Sequence, residues 1–117
     1  MASGAFQYPG STAEAIQFKL TTTSPTVIAG NANSVIQVAW FACSEIAAGT
    51  PNLTVELWDG TTSFYLRNAK AMTAKETYIF DNGIWLRQGT FLRVTASVAN
   101  QIDVVGITSL PNTQEGS

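Results

Sequence analysis

Glu56 and Asp59 are the one pair of carboxylates in the body of this 117-residue sequence spaced closely enough for general acid–base work, which needs two carboxyl groups at one bond. Asp59 is followed by Gly60, however, and Asp-Gly between two strand-like runs is a hairpin signal that accounts for the aspartate without chemistry. Histidine is absent. That removes the Ser-His-Asp and Cys-His nucleophile arrangements, the usual proton shuttle near neutral pH and the commonest zinc ligand. Cys43 is the only cysteine, so no intrachain disulfide can form, and its place in an apolar run makes it a small packing residue. Asp59-Gly60 and Asp81-Asn82-Gly83 offer oxygen atoms to calcium, but neither has the alternating acidic spacing of a dedicated loop. No G-x-x-x-x-G-K phosphate cradle occurs. The residues describe a chain with no catalytic group, metal or cofactor, in which Asp59, Gly60, Asn82, Gly83, Gly89 and Asn100 serve turns.

Aromatic side chains leave recognition as the remaining chemistry. Trp58, Tyr65 and Trp85 fall opposite the aliphatic alternation of their strands, where amphipathic rings could stack on sugars. Packing at a protein interface is the stronger reading, because Trp and Tyr are enriched there. Ile36, Val38 and Trp40 join them as candidate interface residues, since residues 35–43 are apolar on both faces and a strand of an antiparallel sheet normally keeps one face wet. Phe6 and Tyr8 lie in an arm unable to build a core and are candidates to anchor in a neighbour's groove.

The elements that must hold these groups are short strands. Residues 12–20 alternate apolar and polar side chains, as do 53–58, 64–70 and 91–97, and further strands are expected at 26–28, 35–43, 76–80, around 84–87 and at 102–110. Asp59-Gly60 closes one hairpin, and Asp81-Asn82-Gly83 reads as a second tight turn. Residues 69–76 favour helix but are too few for one, and read as a connection. Eight or nine strands spaced by about ten residues predict an all-β fold, an antiparallel sandwich or jelly roll of about eight short strands. It is expected over residues 12–110, between a flexible arm at 1–11 and a flexible tail at 111–117, both rich in Gly, Ser, Pro, Gln and Asn.

Composition narrows the partners. Charged residues make up 12% of the chain against 45% hydrophobic, about half the charged share of an ordinary soluble domain. So little charge leaves surface that burial against other chains explains, and a homo-oligomer is expected. The six basic residues are dispersed and the net charge is −2, which argues against nucleic acid, since phosphate neutralisation requires a basic stripe. No run approaches the roughly 20 apolar residues of a membrane span. The N-terminus lacks a basic segment followed by an apolar one, so cytoplasmic synthesis without processing is expected.

Two stretches carry a family resemblance. LTVELWDGTTSFYL (residues 53–66) and LRQGTFLRVTASVANQIDVV (residues 86–105) resemble small β-sandwich structural proteins of tailed bacteriophages. Those proteins show a V-x-L-x-D-G/A hairpin with a tyrosine on the return strand, and a late G-D-x-L-R-V-T-A-S-x-A-N-x-I/V-D-V motif. Residues 89–104 fit the late motif, with Thr90 where aspartate is common, and residues 29–38 resemble the group's loop and second strand. The likeness extends over residues 21–110. It implies a virion protein made in the bacterial host cytoplasm, with no catalytic residues to transfer. The first reading of its role is a capsid decoration (cement) protein that binds the major capsid protein and reinforces the shell, expected as a trimer from the low charge, the two-sided strand 35–43 and the local symmetry axes of icosahedral shells. A neck, tail or baseplate component is the alternative within the class, and a carbohydrate-binding module using Trp58, Tyr65 and Trp85 the alternative outside it.

Overall fold

Alternation of apolar and polar residues builds nine strands, and the computed structural model describes them over residues 12–110. They are β1 (Thr12–Lys19), β2 (Thr26–Gly30), β3 (Ile36–Glu45), β4 (Asn52–Trp58), β5 (Ser63–Ala71), β6 (Thr77–Phe80), β7 (Ile84–Leu86), β8 (Phe91–Ala96) and β9 (Ile102–Leu110). No described residue is helical, and residues 69–76 continue β5 into a turn. Phe6, Tyr8 and the two terminal segments, 1–11 and 111–117, lie outside the described residues.

All pairings are antiparallel, and the strands form two sheets, an all-β sandwich. Sheet one runs β1-β9-β3-β6, with β7 also paired to β3, and sheet two runs β2-β8-β4-β5. The inward positions of each strand meet between the sheets: Val38, Phe41 and Cys43 from β3, Leu53 and Val55 from β4, Leu92 and Val94 from β8, Ile102 and Val104 from β9, all fully buried. Strand β8 shows the underlying rule, alternating half-exposed and buried residues along its whole length. Phe41 stacks on Phe80 with ring centroids 4.5 Å apart. This pair fits because Gly106, opposite Phe41, has no side chain; a Cβ there would lie 2.7 Å from the Phe41 Cβ.

Two departures from simple alternation shape the surface. In β3 the register against β9 shifts between Val38 and Trp40, leaving Ala39 as a bulge. One extra residue reverses which side chains face in. Ile36 and Val38 therefore point into the sandwich, whereas Trp40 and Ala42 point out. The second departure concerns Asp81-Asn82-Gly83. Strands β6 and β7 do not pair with each other; both lie along β3, β6 opposite residues 41–44 and β7 opposite residues 36–38. The second tight turn expected there is instead a bend at which one line of strand is interrupted, at the level of the β3 bulge.

Candidate functional site

The polar groups with catalytic potential are used by the fold itself. Asp59 sits in the four-residue loop between Trp58 and Ser63, where its Oδ1 accepts the N–H groups of Thr61 at 2.9 Å and Thr62 at 2.7 Å. Donation from Thr62 and Thr61 outweighs the cost of partial desolvation and holds its carboxyl below the usual aspartate value. Glu56 pairs instead with Arg93, directly opposite on β8, at 3.2 Å, with both side chains largely buried. The two carboxylates do not converge on a common point. Burial pushes the Cys43 thiol up to about 12, which leaves it without thiolate near neutral pH. Among the described residues no three His, Cys, Asp or Glu side chains gather in metal-binding geometry.

Glu45 is a group that sequence reasoning passed over. It ends β3, is 2% exposed, and collects the N–H groups of Ala47 (3.0 Å) and Gly49 (2.8 Å) on Oε2 and of Lys75 (2.8 Å) on Oε1. Burial pushes its carboxyl up, but donation from Lys75, Gly49, Ala47 and Ala48 more than reverses this and holds it below its ordinary value. It ties two loops to the sheet end. The only signal in the sequence is a lone acid closing an apolar strand.

The turn residues take the following places. Gly60, Gly83 and Gly89 have φ of 97°, 73° and 81°, and Asn100 has 65°. Asn82 lies between β6 and β7 within the interruption.

The candidate recognition residues divide between opposite faces of the sandwich. Trp58 and Tyr65 lie on the outer face of sheet two, around the Glu56–Arg93 pair. The Arg93 guanidinium covers the Trp58 ring, 4.2 Å from its centroid, and Phe91 flanks it at 6.2 Å. Trp85 and Trp40 lie on the outer face of sheet one. No platform contains Trp58, Tyr65 and Trp85 together, and one face of the Trp58 ring is already covered by Arg93. Ile36 and Val38 are 8% and 0% exposed and are covered by the chain's own second sheet. The bulge at Ala39 thus removes them from any partner's reach and leaves Trp40 as the outward member of that group.

The outer face of sheet one collects apolar residues from five strands. Reading across the register, Gln17, Val105, Ala42 and Ile79 make one row, and Ala15, Ile107 and Trp40 the next, with Gln37 and Trp85 beyond. Five large side chains stand open: Ile79 62%, Trp85 58%, Val105 44%, Ile107 42% and Trp40 37% exposed. Its charged members, Lys19 and Asp103, neutralise each other at 2.7 Å at one end of the sheet. Ile79, Val105 and Ile107 were not singled out from sequence, because their common face exists only once non-consecutive strands are in register.

No protein-family profile and no curated protein matches the sequence. Among solved structures, the fold is similar to two crystal structures of a pentameric capsid protein isolated from metagenomic phage sequences. One matches with a TM-score of 0.55 at 21% identity and the other with 0.53 at 22%, each over 84% of this chain. The chain spans 61% of the length of those capsid chains, and what the two share at this identity is the two-sheet β-sandwich.

Proposed function

We propose that this chain is a non-enzymatic structural protein of a tailed-bacteriophage virion, a decoration protein that binds the outside of the assembled shell and stabilises it. The observation that carries the reading is the strand order. With the interrupted β6–β7 counted as one strand, the sheets run 1-8-3-6 and 2-7-4-5. We read this as the eight-strand jelly roll, an architecture that viral capsid domains use. The similarity to a phage capsid protein over 84% of this chain and the residue motifs shared with small phage sandwich proteins support it. The chemistry agrees: the thiol is buried, and Glu45, Glu56, Asp59 and Asp103 are engaged in loops, a turn and ion pairs.

The partners in this reading are further copies of the chain and the major capsid protein. A trimer is expected on local threefold axes, whereas the similar capsid protein is pentameric. Light scattering decides between three and five times the 12.5 kDa chain mass.

Quantitative gels of purified particles test the role itself. Symmetry predicts on the order of hundreds of copies for a decoration protein, against about a dozen for a ring in the neck or tail. Particles lacking the chain should release their DNA at a lower temperature. Absence of the chain from purified particles overturns the reading.

A further inference from the structure

We propose that the outer face of sheet one is the surface through which copies of this chain join one another, an inference that rests on the homo-oligomeric reading above. The two outer faces differ in kind. On sheet two the central cross-strand pair is Glu56 with Arg93, whose charges already satisfy each other and whose guanidinium covers Trp58. On sheet one the centre is Val105, Ala42, Ile107 and Trp40, flanked by Ile79 and Trp85, with nothing of the chain's described residues over it. Side chains this large and this exposed on adjacent strands form one continuous patch rather than scattered surface residues.

Charge, size and position select a second copy as the occupant. The charged residues that the strands present on this face, Lys19 and Asp103, close on each other. The face therefore neither attracts a charged partner nor repels its own kind. Four strands about 4.8 Å apart, over about seven residues of about 3.3 Å rise, cover on the order of 400 Å². That is about half of the roughly 800 Å² each partner gives to a stable interface. The remainder has a source at the rim. Thr12 and Leu110 are paired at one end of β1 and β9, beside the row that carries Gln37 and Trp85. Eleven residues precede this point and seven follow it. Eleven extended residues reach roughly 36 Å, more than the ~15 Å from the first to the last strand of the sheet. A second copy thus brings a matching apolar face, and chain enough beside the rim, Phe6 and Tyr8 included, to add to it.

Sedimentation equilibrium of the full chain, with Ile79→Lys and Ile107→Lys compared with Tyr65→Lys on the opposite face, tests the inference. Wild type and Tyr65→Lys should have the same multiple of the chain mass. Both isoleucine variants should keep a cooperative melt and dissociate at least tenfold more readily. Should a lysine variant lose its melt, Trp85→Gln replaces it, with the same expectation. A wild-type chain that stays monomeric at high micromolar concentration overturns the proposal. So does oligomer retained in the sheet-one variants. Co-sedimentation with purified shells is read separately. Shell binding lost in Ile79→Lys while the wild type is monomeric assigns the face to a shell protein and overturns self-association. An oligomer that uses this face yet binds no particle upholds it and removes the virion reading instead.

Discussion

Glu45 shows how one residue with no part in recognition can decide whether a surface keeps its shape. Its two oxygens accept three backbone N–H groups from two loops. A carboxylate whose folded value lies below its ordinary value of 4.5 contributes stability that is present above that value and is lost as pH falls through the folded one. Glu45→Gln turns an amide NH2 toward backbone donors and lacks the charge. It should lower the urea midpoint at pH 7, and its difference from wild type should shrink as pH drops below 4.5. Equilibrium unfolding at several pH values between 7 and 3 checks this, and a constant difference across that range would contradict it. Sequence could not single out this residue. An acid at a strand end is usually solvated, and its three donors come from positions 47, 49 and 75.

Elements were legible where the signal is local and opaque where it is not. The β4–β5 hairpin was readable from Asp59-Gly60, because a turn must be encoded by the residues that make it. Gly60 has φ 97° and open space around its missing Cβ, so its requirement is the backbone conformation and not room. Gly60→Val should cost about 1 kcal/mol or more, the scale of a β-branched residue at positive φ. Asp59→Asn should cost less, since the amide oxygen can still accept from Thr61 and Thr62. Calcium should move neither melting temperature; a calcium-dependent loss in Asp59→Asn would assign the loop to a metal. The bulge at Ala39 was not readable, because apolar residues on both faces of 35–43 conceal the shift of register. The run of β6 into β7 was misread for a related reason. Asp-Asn-Gly signals a local break, and only the pairing with β3 shows that the chain continues forward. Gly106 is the converse case, a glycine kept for space. Gly106→Ala should cost about 2 kcal/mol, the scale of an overpacked core, with denaturant midpoints as the check.

For the whole molecule, what remained hidden was topology. Strand identities follow from alternation, but the outer face of sheet one is assembled from β1, β9, β3, β6 and β7, which no local pattern brings together. Deleting residues 1–9 should leave the melting temperature unchanged, since every described strand begins at or after Thr12, while weakening self-association several-fold by concentration-dependent sedimentation. The same topology orders events during synthesis. Among the described strands only β4 and β5 are both neighbours in the chain and partners in a sheet, and β1, the first of them made, has β9, the last of them, as its sole ladder. At roughly 5–20 residues per second, β1 waits on the order of 5–20 s for its partner. Until the ribosome delivers residues 102–110, sheet one has no strand to bridge β1 and β3, and its apolar face lacks the central Val105 and Ile107. In the proposed self-association, copies therefore match in full only as finished chains, since a chain released before residue 102 carries just the part of the face that β3, β6 and β7 build.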